Sequence, residues 1–182
     1  SGFHDADNAL AMAQMANAMT AETVPPMVQL EGMEEDFGGS HATRYNESYK
    51  SEQPFTTPAA IARVFRGIEG SKRMVLDASG SFDVNDRPLT WHWSVLRGDP
   101  DDIHITPLNP EGSRVEIVFD YPETVVDPFH GRPSSLAVVG AFVHNGHYYS
   151  APGFVTALGL WNEERVYGYD GLLRSTTYLN SA

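Results

Sequence analysis

The chain has 182 residues, 41% hydrophobic and 11% aromatic, which is enough apolar material for a packed core and excludes a wholly disordered chain. Its 24 Asp and Glu outnumber 12 Lys and Arg, giving a net charge of −12, and no basic cluster is present to neutralise phosphates, so we expect no nucleic-acid partner. With no cysteine and no apolar run of membrane-spanning length, the sequence predicts neither a disulfide nor a transmembrane segment.

The first predicted element is a helix over residues 7 to 21. Asp7 or Asn8 can cap its first turn, and Val24-Pro25-Pro26 ends it. Its methionines fall three and four residues apart on one face: Met12, Met15 and Met19. This adaptable Met face packs either on the rest of the chain or on a neighbouring domain.

Residues 31 to 58 are polar and show no apolar periodicity, which is typical of a long loop or arm. We therefore divide the chain into an N-terminal helix and irregular arm over residues 1 to 58 and a β-domain over residues 59 to 182. The chain opens with Ser1-Gly2 rather than Met, which we interpret as the mark of a segment cut from a longer protein.

From about residue 60 the apolar pattern has the period of β-strands. Leu89, Trp91, Trp93 and Val95 alternate with polar residues, and the same holds for Val115, Ile117 and Phe119; residues 136 to 143 are apolar on both faces, as in a central strand. The predicted core contains these side chains: Leu76, Trp91, Trp93, Ile117, Phe119 and Phe142.

Two dipeptides predict hairpins, because Asn-Gly and Asp-Gly tolerate the positive φ angles of tight turns. They are Asn145-Gly146, which follows the central strand, and Asp170-Gly171, near the end of the chain. Seven or more short strands separated by such turns favour an all-β sandwich.

Residues 76 to 93 carry the most informative motif. It consists of Leu76-Asp77-Ala78-Ser79, Gly80-Ser81, an acidic turn at Asp83, and the pair Trp91 and Trp93. This order resembles the opening of a PKD-type module, of which the chain would be a divergent member. The resemblance implies an immunoglobulin-like β-sandwich that serves as a non-catalytic part of a large secreted bacterial protein.

The turn at residues 83 to 86 is a candidate calcium site. Asp83, Asn85 and Asp86 offer oxygen ligands at close spacing, and Ca²⁺ takes six to eight oxygens. The resemblance adds to this expectation, since some PKD-type modules bind calcium in loops. The alternative is an ordinary turn, in which Asp and Asn bond their own backbone.

A second acidic loop, with Asp99, Asp101 and Asp102, is predicted to be a solvated turn after the Trp strand. It begins with Arg97-Gly98-Asp99, the tripeptide that integrins recognise, a match that three residues allow by chance.

Aromatic residues gather in the last third of the chain. Tyr167 and Tyr169 share a strand face in the predicted hairpin, and with Trp161 they are the candidate carbohydrate-binding residues. An acidic chain favours neutral polysaccharides. The alternative is that about half of these aromatic rings complete the core.

No catalytic motif is present: the sequence has no Gly-x-Ser-x-Gly, His-Glu-x-x-His or phosphate loop. Together with the resemblance to PKD-type modules, this implies a non-enzymatic accessory or interaction module, secreted or at the cell surface, whose partners are neighbouring domains of the same polypeptide. The alternatives are a carbohydrate-binding module of a polysaccharide-degrading protein and a hydrolase whose site the sequence does not reveal.

Overall fold

The computed structural model describes residues 5–37, 54–65, 68–127, 131–160 and 163–178, with side chains described from Ala9 onward. One helix, α1 (Asp5–Ala18), and two short 3-10 helices (Ala21–Thr23 and Pro100–Asp102) accompany the strands in these ranges. The strands are β1 (Glu31–Glu35), β2 (Phe55–Thr57), β3 (Ala60–Val64), β4 (Ser71–Asp77), β5 (Thr90–Arg97), β6 (Ile103–Pro107), β7 (Arg114–Asp120), β8 (Val125–Val126), β9 (Pro133–Ser134), β10 (Leu136–His144), β11 (Gly153–Leu158), β12 (Glu163–Tyr167) and β13 (Leu173–Tyr178). None of the helices in these ranges has the length and apolar content needed to cross a membrane.

The strands form two main sheets. The four-stranded front sheet has the order β1-β4-β7-β6 and is antiparallel throughout. The five-stranded back sheet has the order β2-β3-β11-β10-β5, with one parallel pair, β3 and β11. Two small hairpin-like sheets, β8-β9 and β12-β13, complete the described structure, and the predicted all-β class is confirmed.

One apolar core lies between the two main sheets. Leu76, Ile117 and Phe119 of the front sheet are fully buried, as predicted, and they join Val139 and Val155 of the back sheet in a single cluster. Because each sheet covers the apolar face of the other, the arrangement has the layout of a β-sandwich.

Strand β5 is the edge strand of the back sheet, and its inward face carries Trp91 and Trp93. Both indoles are half-buried and pack against the core. The Trp91 Nε1–H donates to the Ala78 carbonyl and the Trp93 Nε1–H to the Gly112 carbonyl, each at 2.9 Å. The predicted strand face is confirmed, while the edge position leaves part of each ring in solvent.

Phe142 was predicted to be in the core and is not. In β10 the buried side chains that face the front sheet are Ala137, Val139, Ala141 and Val143, so Phe142 points to the opposite, outer face and is half-buried. A strand that is apolar on both faces gives no sequence signal for which face is inward.

The N-terminal region is more regular than the sequence predicts. Strands β1 and β2 lie at the edges of the two main sheets, so the division at residue 58 would separate β2 from its partner β3. Every residue of β1 is exposed, which explains the missing apolar alternation.

A buried arginine holds these edge strands. The Arg63 Nε donates to Glu35 Oε2 at 2.6 Å, and its Nη1 donates to the Phe55 carbonyl and to Thr56 Oγ1. Because Arg63 belongs to β3 and Glu35 to β1, the ion pair links the two sheets at one edge.

The two predicted hairpins differ in outcome. The Asp170-Gly171 turn joins β12 and β13 as predicted, with Gly171 at φ +70°. The Asn145-Gly146 turn is wider than the predicted two-residue turn, because the isolated bridge that closes it pairs His144 with Tyr149. Asn145 Oδ1 accepts hydrogen bonds from the backbone N–H groups of residues 147 and 148 and so stabilises the wider loop.

Replacing Trp93 with Ala should lower the free energy of unfolding by about 2–3 kcal/mol, below the about 3–5 kcal/mol typical of a fully buried Trp, because the ring is half-exposed. The change also leaves the Gly112 carbonyl without its indole donor. Urea unfolding followed by circular dichroism measures the loss. Ser94→Ala, a neighbouring exposed position of β5, is the control and should change stability little. Equal stability of the two variants would contradict the inward placement of Trp93.

Candidate functional site

The turn predicted to bind calcium is a structural junction. Asp83 is buried, and its Oδ1 accepts from the backbone N–H of Asn85 at 2.8 Å, while its Oδ2 accepts from Nδ2 of the buried Asn145. Asp86 adopts φ +55° in the same turn. Both oxygens of the Asp83 carboxylate therefore accept hydrogen bonds from the protein. This agrees with the second interpretation of the sequence, an ordinary turn stabilised by its own Asp and Asn side chains.

The same turn holds the N-terminal segment. The Asn85 Nδ2 donates to the Ala21 carbonyl at 2.8 Å, and the Arg87 Nη1 donates to the Glu22 carbonyl at 3.0 Å. Hydrogen bonding from Asn145 keeps the pKa of Asp83 below its ordinary value, although desolvation acts in the opposite direction. Among the described residues, no three His, Asp or Glu side chains are grouped to hold a metal ion, and calcium at this turn stays a prediction.

Tyr167 and Tyr169 do not form the predicted flat platform. Tyr167 ends β12 after a register shift, and its half-buried ring packs on Tyr121 with 6.1 Å between ring centroids. Tyr169 lies in the following turn and is fully exposed. Trp161 lies outside the described residues. Carbohydrate binding stays a prediction, but these two tyrosines share no outward face on which a sugar could stack.

A cleft of about 390 Å³ opens where several strands end, and we call it the acidic cleft. Its walls combine acidic side chains with an apolar floor: Arg97, Gly98, Asp99, Asp102, Ile103, Asp120, Pro122, Glu123, Val125, Leu136 and Ala137. The register that pairs Ile103 of β6 with Phe119 of β7 brings Asp102 and Asp120 to the same end of the front sheet. The cleft is therefore built at the rim between the two main sheets.

Local geometry fixes the acidic loop of this cleft. Gly98 has φ +97°, and a Cβ there would lie 3.2 Å from the Ile103 side chain, so glycine is required by both conformation and space. Asp99 Oδ1 accepts from the Asp101 backbone N–H at 3.0 Å and so caps the 3-10 helix Pro100–Asp102. Arg97 pairs with Asp127 at 2.6 Å, so Arg97-Gly98-Asp99 is part of the cleft wall and not a projecting tripeptide.

Like charges converge on Asp102. Its pKa is raised above the ordinary value, first by desolvation and then by the nearby carboxylates of Asp99, Asp120, Glu123 and Asp101. A cation placed beside these carboxylates would offset the repulsion that raises the pKa of Asp102. The accessible apolar side chains of the cleft, Val125 and Leu136, would contact an apolar group attached to that cation.

A second cleft, of about 470 Å³, lies between Tyr121 and β12 and has different electrostatics. Its Arg165 pairs with Glu163 at 2.6 Å and lies 4.4 Å from the centroid of the Tyr121 ring. The guanidinium of Arg165 is therefore already paired within the chain, with Glu163 and the Tyr121 ring.

Sequence reasoning identified only half of the acidic cleft. The loop with Asp99, Asp101 and Asp102 was predicted to be solvated, and Asp120 and Glu123 gave no signal because they lie about twenty residues further along. Only the pairing of β6 with β7 brings the two groups together.

No protein-family model and no curated protein sequence matches this chain.

Replacing Asp83 with Ala should lower the melting temperature at pH 7 by several degrees, in EDTA as well as in calcium, because the carboxylate bonds to Asn85 and Asn145 without a metal. The native pKa of Asp83 is lowered, so its contribution is present above the unfolded value of about 3.9 and is lost as the pH falls through the native pKa. Melting curves of the two proteins should therefore converge in acid. Asp86→Asn, which keeps a residue that tolerates positive φ, is the control. If Asp83→Ala lowers the melting temperature only when calcium is present, the turn acts as a metal site.

Replacing Asp102 with Asn should raise the melting temperature at pH 7. The native pKa of Asp102 is raised, so the native state binds this proton more tightly than the unfolded state does. The free energy of unfolding therefore falls as the pH rises above the unfolded pKa of about 3.9. The gain should disappear at pH 3, where the carboxyl is protonated in both states. Asp101→Asn is the control: it removes the same charge from an exposed position, and Asp101 contributes least to the raised pKa of Asp102. An equal gain in both variants would indicate a general charge effect and contradict a specific cluster.

Proposed function

We propose that the chain is a non-catalytic interaction module of a larger protein, built on an immunoglobulin-like sandwich of the PKD type. The motif from Leu76 to Trp93, which runs from the end of β4 through the connecting loop into β5, supports the family. The resemblance also supports placing the larger protein among secreted bacterial proteins.

Strand topology supports the immunoglobulin-like part of this proposal. Such folds place strands A, B, E and D in one sheet and C, F and G in the other, with a buried Trp on strand C. If β1, β4, β5, β6, β7, β10 and β11 are strands A to G, the front sheet has the order A-B-E-D and the back sheet contains G-F-C. Trp93 then lies on strand C. The pairs β2-β3, β8-β9 and β12-β13 are additions to this frame.

The acidic cleft is the site at which the module would bind its partner. The carrying observation is the convergence of Asp99, Asp120 and Glu123 on Asp102 above an apolar floor. An ammonium or guanidinium group would meet these carboxylates, while its alkyl stem would lie on Val125 and Leu136. The chemistry fits a Lys or Arg side chain of a neighbouring domain.

A single exposed ion pair contributes little, about 0.2–1 kcal/mol, and salt screens it. Binding of one cationic side chain from a separate molecule would therefore be weak. A neighbouring domain of the same polypeptide is present at an effective concentration in the millimolar range, which makes such a weak site sufficient. This matches a module that holds an adjacent domain in position.

Protonated n-butylamine and n-butylguanidinium should bind the acidic cleft with millimolar affinity and shift the backbone NMR signals of Gly98, Ile103 and Ala137. Asp102→Asn should weaken this binding several-fold, and raising the salt concentration should weaken it further. Pentanoate, which has a similar stem and the opposite charge, is the ligand control, and Asp101→Asn is the protein control. Shifts that are equal for pentanoate and butylamine, or unchanged in Asp102→Asn, would refute the site.

A further inference from the structure

Among the described residues, the outer face of the back sheet carries one charged side chain, Arg97 at its margin. It comprises alternate residues of five strands, and we call it the outer face: Phe55, Thr57, Ala60, Ala62, Val64, Thr90, His92, Ser94, Leu96, Val138, Gly140, Phe142, His144, Phe154, Thr156 and Leu158. None of these residues is Asp, Glu, Lys or Arg. Arg97 lies opposite Val138 at the margin of the same face, and its guanidinium pairs with Asp127.

Large apolar groups of the outer face are in solvent. Phe55, Leu96 and Phe154 are 59%, 46% and 41% exposed. Leu96 and Phe142 cover the backbone of Gly140, where an added Cβ would lie 2.6 Å from Leu96 and 2.9 Å from Phe142, so these side chains form a continuous surface. A nearly uncharged sheet face with several exposed large apolar side chains, on a chain with net charge −12, is typical of an interaction surface.

Helix α1 also exposes apolar side chains that no described residue covers. Every residue from Ala9 to Glu22 is exposed, and Leu10, Met12, Met15 and Met19 are between 53% and 72% exposed. Residues 8 to 21 contain no charged side chain. A helix of 14 residues is marginal in water on its own, so α1 needs a surface that covers its apolar side chains.

The link that follows α1 is fixed to the sandwich. Thr20 N–H donates to Thr23 Oγ1, and the Thr23 hydroxyl donates to the Thr20 carbonyl, both at 2.9 Å. Asn85 and Arg87 hold the carbonyls of Ala21 and Glu22 beside the start of β5. This bonded link leaves α1 projecting from its own sandwich, with its methionines directed at solvent.

We propose that two copies of this chain form a reciprocal dimer in which α1 of each copy docks on the outer face of the other. The helix is about 21 Å long, and the five strands of the back sheet span about 19 Å, so α1 can cross the whole face. Two such contacts bury on the order of 1,000 Å² or more, the size at which stable interfaces begin.

Charge and side-chain chemistry select this partner. Two chains of net charge −12 repel each other, and this repulsion is smallest where uncharged surfaces meet. Residues 8 to 21 carry no charged side chain, and on the outer face the only charge is that of Arg97, which is paired with Asp127. The helix supplies methionines and the outer face supplies Phe55, Phe142 and Phe154, and thioether sulfur packs favourably against aromatic rings. The acidic cleft takes no part in this dimer. The dimer and the proposed function are therefore tested by separate experiments.

The 182-residue chain is suited to a disulfide cross-linking test, because it contains no cysteine. One chain carries Met15→Cys, and a second chain, distinguished by an affinity tag, carries Ser94→Cys on the outer face. Mixed and mildly oxidised, the two should give a disulfide-linked mixed dimer in high yield. Light scattering of the unmodified chain should give twice the 20.0 kDa chain mass at tens of micromolar, and Met12→Glu with Met15→Glu should return it to one chain mass.

Ser175→Cys is the matched control for Ser94→Cys, since Ser175 is an exposed serine on β13 and outside the outer face. Its cross-linking yield with Met15→Cys should be at least several-fold lower. Equal yields, or a mass of one chain at every concentration, would overturn the dimer. A disulfide that forms only within a single chain carrying both Met15→Cys and Ser94→Cys would overturn it too, because α1 would then dock on its own sheet.

Discussion

The two hydrogen bonds from the Trp indoles of β5 to the loops that adjoin the front-sheet strands β4 and β7 are the constraint on which the rest of the molecule depends. Apolar packing between the sheets has no direction, whereas the bonds from Trp91 to Ala78 and from Trp93 to Gly112 fix where β5 lies along the opposite sheet. An edge strand has a partner on one side only, so β5 needs this second attachment. Both indole donors are thereby satisfied at half-buried positions, where an unpaired N–H would be destabilising.

Fixing β5 positions all the surfaces to which we assign a role. Its outward residues belong to the outer face, and its last residue, Arg97, leads into Gly98 and the acidic cleft. Its first residue follows the turn that holds the N-terminal link through Asn85 and Arg87. Acidic and uncharged surfaces are therefore separate. Carboxylates converge at one rim of the sandwich, and the outer face of the back sheet carries no carboxylate.

The sequence predicts those parts of the fold in which one strand face is apolar and the other polar. The inward faces of β5 and β7 follow directly from the alternation around Trp93 and Ile117. Where alternation is missing the prediction fails: β1 is exposed on both faces, and β10 is apolar on both, which misplaced Phe142. The acidic cleft could not be predicted, because Asp102 and Asp120 meet only through the β6–β7 register, and the wider loop at Asn145 depends on its contact with Asp83.

Hydrogen exchange at the indole N–H groups tests the role of β5 most directly. The chain has three tryptophans, and Trp91→Phe and Trp93→Phe variants assign two of the three indole signals in a proton–nitrogen NMR spectrum. The account predicts that the Nε1–H protons of Trp91 and Trp93 exchange with solvent far more slowly than a free indole, since each is bonded to a carbonyl of the front-sheet connections. Exchange of both protons at the rate of a free indole would contradict it and would leave β5 attached to the sandwich by β10 alone.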